Sequence, residues 1–207
     1  MKEIFLLLLI LTLISCGKDK NNKEEFGVFD ITEDVSDLNT IANEAEKIER
    51  ESKKLKESTP ITTEELKTFI PKKLIGYSRK EFSIGNEFMP DMTIADAKYV
   101  SQDNIVLSFS IIDGAGETGS VMVTLARLGF IKGFEEQNNH GYRKSITING
   151  YKAIEEIKIN NDIESSILEL LISNRFIITL EGQKISLKQL KNAINELNLK
   201  ILEQKTK

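Results

Sequence analysis

Asn149-Gly150 stands between Ser145-Ile146-Thr147-Ile148 and Tyr151-Lys152-Ala153-Ile154, two short runs of strand-forming residues. Asn-Gly takes the positive φ angles of a type I′ turn, whose twist matches that of the strands it joins, so these residues predict a two-residue antiparallel hairpin. Its register follows at once. Lys144 faces Glu155 and Arg143 faces Glu156, which puts opposite charges on two successive rungs. The hairpin gives the fold its first antiparallel strand pair.

Other segments extend that pair into a sheet. Tyr77 to Ile84, Ile94 to Ser101 and Ile105 to Ile112 are of strand length and are separated by Gly, Asn, Asp and Pro. Ser166 to Ile172 and Phe176 to Leu180, joined by Ser173-Asn174-Arg175, form a second expected hairpin. Helices bracket the strands. Thr62 with Glu65, and Ser186 with Gln189, have capping-box spacing, and Ile61/Leu66 and Ile185/Leu190 can staple the same two helix starts. The first helix runs to about Phe69, before Pro71. The second presents Leu187, Leu190, Ile194, Leu197 and Ile201 on one face. A further helix near 119 to 128 completes an α+β fold: a mostly antiparallel sheet of six to seven strands with helices packed on one face.

Upstream of Pro60 the pattern changes. Leu38, Ile41, Ala45, Ile48, Ser52 and Leu55 recur in steps of three and four, which predicts an amphipathic stalk helix over 34–57 with one narrow apolar seam, able to dock on the domain or on an envelope partner. Gly17 to Asp30 is polar and reads as a tether. The opening MKEIFLLLLILTLISC has a basic n-region, an apolar stretch from Ile4 to Ile14 too short to span a bilayer, and a small residue before Cys16, the pattern of a cleavable signal peptide. The expected organisation is therefore a signal peptide over 1–15, a tether and stalk helix over 16–58, and a globular domain over 59–207.

Counting excludes several functions. Lys and Arg total 28 against 32 Asp and Glu, a net charge of -4 with the signs interspersed, so no nucleic-acid partner is expected. One cysteine and one histidine exclude a disulfide within the chain and a Cys/His zinc site. There is no G-x-S-x-G nucleophile elbow and no H-E-x-x-H, and no cofactor, metal or catalytic residue is assigned.

One stretch imitates a nucleotide site. Asp113-Gly114-Ala115-Gly116-Glu117-Thr118-Gly119 spells G-x-G-x-x-G between a strand and a helix, with Glu135 and Glu136 where a ribose-binding acid would belong. The helix that follows is short, hairpins rather than a second βα unit come next, and Asp113 and Glu117 set two negative charges beside the phosphate position. The glycines read as a tight strand-to-helix turn, with Thr118 as N-cap. Asp113, Gly114, Gly116, Glu117 and Gly119 remain the candidate ligand-binding residues. His140, in the polar loop Gln137-Asn138-Asn139-His140-Gly141, reads as an exposed loop residue.

Leu13-Ile14-Ser15-Cys16 resembles the lipobox of bacterial lipoproteins, and Gly17-Lys18-Asp19-Lys20 partly resembles the surface-export tag of Bacteroidota lipoproteins, departing from it at Lys20. The resemblance implies a diacylglyceryl group on Cys16 as the mature N-terminus, membrane attachment through it, and an outer-membrane location. The segments FIPKKLIGYSRKEF, MTIADAKYV, IIDGAGETG, GYRKSITINGYKAIEE, NRFIITLEG and LKNAINELNLKIL together resemble an uncharacterised family of bacterial envelope lipoproteins over about residues 60 to 203. That resemblance implies a stand-alone lipoprotein domain and brings no activity or site residue with it. The expected function is a non-enzymatic binding domain in the cell envelope; the alternative is an envelope hydrolase using Asp113, Glu117 or His140.

Overall fold

Alternation along the central strands decides the architecture. In the computed structural model, which describes residues 35–85, 92–128, 130 and 134–206, Ala95, Ala97 and Tyr99 point to the same face as Leu107, Phe109 and Ile111 on the neighbouring strand, and all are buried. Leu168, Leu170, Ile172, Phe176, Ile178 and Leu180 continue that face across the second hairpin.

Among the described residues there are nine strands: β1 (Lys73–Leu74), β2 (Tyr77–Ile84), β3 (Ile94–Val100), β4 (Val106–Asp113), β5 (Glu135–Asn138), β6 (Gly141–Ile148), β7 (Tyr151–Asn160), β8 (Ile163–Ile172) and β9 (Phe176–Gln183). They form one antiparallel sheet in the order β1-β2-β3-β4-β9-β8-β7-β6-β5. Two meanders therefore meet along β4 and β9, where Leu107 pairs with Gly182 and Asp113 with Phe176. The helices are α1 (Val35–Glu57), α2 (Thr63–Phe69), α3 (Glu117–Leu128), α4 (Leu187–Glu196) and α5 (Lys200–Gln204). The chain divides into two compact units, Met1–Asp37 and Leu38–Lys207. The first is described only at the start of α1; Cys16, the signal peptide and the tether lie outside the described residues.

The Asn149-Gly150 hairpin has the expected register, Arg143 against Glu156 and Lys144 against Glu155, with nitrogen-oxygen distances of 3.6 and 3.3 Å. Both capping boxes form, and Ile61, Leu66, Ile185 and Leu190 are buried in one cluster. Six to seven strands is an undercount. β1 has two residues, and β5 is the fully exposed Glu135-Glu136-Gln137-Asn138, which carries no apolar alternation to announce a strand. β7 and β8 also run on to a turn at Asn161-Asp162, both at positive φ. The long C-terminal helix is broken: Leu197 is extended at φ -82°, ψ 138°, and the break lets Leu199 and Leu202 join Leu190 and Ile194 in the core.

The expectation of helices on a single face is also corrected. α2, α4 and α5 cover the main core with Leu66, Phe69, Leu190, Ala193, Ile194 and Leu202. A second cluster lies on the opposite face, where Ile154, Leu171 and Ile177 meet Val123 of α3, Leu55 of α1 and Phe130. The reason is visible in Leu170-Leu171-Ile172 and Phe176-Ile177-Ile178, which are apolar without alternation and so need cover on both sides. Beyond that cluster the second face is polar and open; Glu81, Lys98, Ser108 and Glu181 share one of its rungs. From Ile48 onward α1 packs on the domain, one of the two placements expected of its seam: Ile48 and Leu55 are buried and Ser52 half-buried, while Ala45 is exposed.

Candidate functional site

β4 ends on Asp113 and the chain turns directly into α3. Gly116 takes φ +83°, which a side chain would resist. A Cβ on Gly119 would lie 2.5 Å from the Asp113 carbonyl oxygen, and one on Gly114 2.6 Å from Cγ2 of Val123. The glycine spacing thus lets the first turn of α3 rest on the end of its own strand. The amides that would cradle a phosphate are already engaged. Gly114 N–H donates to the Arg175 carbonyl at 2.9 Å, Ala115 N–H to Asp113 Oδ1 at 3.0 Å, and Gly116 N–H to the Leu55 carbonyl at 3.0 Å. α3 starts at Glu117, so Thr118 sits inside the first turn instead of capping it.

Asp113 is fully buried, with four donors on its carboxylate. Ile61 N–H reaches Oδ2 at 2.8 Å, Ala115 N–H reaches Oδ1, and Arg175 grips both oxygens, Nε to Oδ1 at 2.7 Å and Nη2 to Oδ2 at 2.8 Å. The same guanidinium donates to the carbonyls of Thr59 and Lys205, at 3.0 and 2.9 Å. One buried pair therefore ties the α1–α2 link, the end of β4, the β8–β9 turn and the segment after α5. A planar fork with five donors suits this role and an ammonium does not. Arg175 went unnoticed in the sequence because Ser173-Asn174-Arg175 reads as a turn. The available signal was Asp113 itself, an acid at a core-facing position of β4, which requires a buried cation.

The other candidate residues are not assembled around Asp113 as a catalytic group. Glu117 is exposed and paired with Lys56 of α1 at 2.7 Å; the Lys56 hydrogen bond and charge hold its carboxyl below the ordinary value, and the ammonium is raised in return. His140 lies exposed in the turn from β5 to β6, at the sheet edge away from the β4 end, where its N–H donates to Asn138 Oδ1 at 2.7 Å. No cluster of three His, Cys, Asp or Glu side chains that could hold a metal occurs among the described residues.

Two further features belong to the folded structure. Glu155 is buried at the base of an open groove of about 500 Å³ between β6 and α4, with Lys191 Nζ 2.6 Å and Lys144 Nζ 3.3 Å from its oxygens and the Tyr142 hydroxyl at 3.4 Å. Burial pushes this carboxyl up, but the hydrogen bonds and charges of Lys191 and Lys144 outweigh it and hold the group below the usual carboxylate range.

The second feature is α3. Its inward side carries Ser120, Val123 and Arg127, 2%, 0% and 6% exposed, whereas Val121, Met122 and Leu125 are 55%, 37% and 60% exposed. Arg127 pairs with Glu51 of α1, which also accepts from Asn174 Nδ2 at 3.2 Å. Thr124 Oγ1 and Arg127 Nη1 are buried without a protein partner. The helix thus buries Ser120 and Arg127 beside Val123 and leaves Val121, Met122 and Leu125 outside. Comparison with protein-family models, with curated proteins and with solved structures finds no match for this chain.

Proposed function

We propose that this chain is a lipid-anchored lipoprotein of the bacterial cell envelope, held in the outer membrane through Cys16, whose folded unit binds and does not catalyse. The observation that carries the reading is α3, which packs Val123 on the sheet and presents Val121, Met122 and Leu125 together on its outward side for contact. Three apolar side chains exposed together on one helix face are the kind of surface patch through which a domain makes contact. The hydrolase alternative draws no comparable support. Asp113 has its lone pairs occupied, Glu117 is paired at the surface, and His140 stands at the sheet edge. An envelope partner docking through helix 34–57 would use the turns before Ile48, because the seam from there on packs on the chain's own domain.

Labelled palmitate should enter the wild-type protein in its host and not the Cys16→Ser variant, which should leave the membrane fraction; equal labelling of the two would end the anchor reading. The purified protein should release no product from peptidoglycan or envelope polysaccharide. Turnover that disappears on Glu117→Ala or His140→Ala would make the hydrolase reading the correct one.

A further inference from the structure

From the outward side of α3 we infer a second membrane contact: Val121, Met122 and Leu125 insert into the lipid surface to which Cys16 is tethered. The inference rests on the lipid-anchor reading above and names the occupant of the apolar helix face.

Three arguments select a bilayer. Leu125 lies four residues from Val121 and three from Met122, so it joins the two into one contiguous patch on a helix face. Their exposed surface is on the order of 300 Å², well under the ~800 Å² each partner contributes to a stable protein interface, so a second copy of this chain has too little to hold on this patch alone. A helix lying in the interfacial plane needs no such area, because its apolar side chains reach only ~5–10 Å into the headgroup and acyl boundary. Third, the chain length keeps that boundary within reach. Residues 17–34 can span at most about 60 Å, and α1 adds about 24 Å between Val35 and Glu51, which pairs with Arg127 of α3. A lipidated Cys16 would therefore keep an apolar phase within reach of the helix and make the contact an intramolecular one.

The geometry of the inward side fits the same role. Arg127 is locked to Glu51, Gly119 packs on Asp113 and Gly116 N–H is bonded to the Leu55 carbonyl, so α3 cannot roll to bury Leu125 without breaking its polar attachments to α1 and the β4 end. The apolar side stays outward whether or not lipid is present, as a preformed contact.

The absence of tryptophan from the sequence makes the test direct. Leu125→Trp places a single fluorophore on the proposed contact, and Val106→Trp, 41% exposed at the opposite end of β4, is the control. Each full-length lipidated variant is purified from its host and reconstituted into phosphatidylethanolamine and phosphatidylglycerol vesicles, with or without bromine on the upper acyl chains. The expected result is that both variants float with the vesicles, that brominated lipid reduces the Leu125→Trp emission to about half or less, and that the Val106→Trp emission is unchanged. Flotation without quenching at position 125 overturns the inference and leaves the anchor standing. In that case blue-shifted emission would show the face covered by protein, and red emission would show it in water. Equal quenching at both positions also overturns it, since contact would then not be specific to α3. Protein that fails to float refutes the anchor, and the inference falls with it.

Discussion

Arg175→Met removes the cation from a carboxylate that cannot leave the interior. Asp113 is 0% exposed and would keep only the Ile61 and Ala115 amides of its four donors. Breaking a buried ion pair from one side costs about 3–5 kcal/mol, because the remaining charge is left without its counterion in a low-dielectric site. The carbonyls of Thr59 and Lys205 also lose their donor, but each belongs to an exposed residue and water can replace it at little cost. For a folded unit of this size, 3–5 kcal/mol corresponds to a fall in Tm of roughly 6–20 °C and to a large share of a total stability of about 5–15 kcal/mol. Urea unfolding followed by far-ultraviolet circular dichroism should show a lower midpoint with an unchanged slope. Arg175→Lys should recover only part of the loss, since an ammonium cannot grip both oxygens and two carbonyls together. In Asp113→Ala/Arg175→Met the two losses should fall short of additivity by about 2–3 kcal/mol. If Arg175→Met shifts stability by less than about 1 kcal/mol, the clasp is not what joins these segments.

Two further outcomes follow from named contacts. Gly119→Ala should destabilise the protein by about 2–3 kcal/mol in the same urea assay, because its Cβ would press on the Asp113 carbonyl, which is backbone and cannot move aside; a neutral substitution would show the α3 start to be looser than described. Glu155 titrates below the ordinary carboxylate range, so its contribution is present at neutral pH and lost as pH falls through that depressed value. Glu155→Gln should therefore weaken the fold at pH 7 and flatten the decline in stability on acidification, and parallel wild-type and variant curves over an acid titration would contradict the assignment.

Local chemistry was legible where the sequence specifies its own partners. The Asn149-Gly150 register and both capping boxes depend on residues within a few positions of one another, and they stand as read. The features that escaped depend on distant residues. β5 is a strand because β6 offers it a hydrogen-bonding edge, and nothing in Glu135-Glu136-Gln137-Asn138 states this. The break at Leu197 comes from a core that accepts Leu199 and Leu202, which overrides a helical period continuing to Ile201. At the glycine turn the reading as a packing device agrees with the contacts of Gly114 and Gly119, but the role of Asp113 could not be assigned until Arg175 was placed beside it. The outward face of α3 was hidden for a related reason. An amphipathic pattern says that a helix has two sides without saying which one the rest of the molecule will take.

The seam between β4 and β9 also dictates when the fold can close. Strands β1 to β4 can zip up as they emerge, but the partner of β4 arrives roughly seventy residues later, and the Arg175 that neutralises Asp113 comes with it. Until then the nascent first half displays an unsatisfied apolar strand edge beside an unpaired acid. The second meander meets the same delay in reverse, since β9 is its last strand. Closure of the sheet thus waits on contacts between residues far apart in sequence, which slows folding and leaves strand edges open to edge-to-edge pairing in the meantime. Slow refolding that accelerates when the two meanders are linked covalently across β4 and β9 is the kinetic signature this topology imposes.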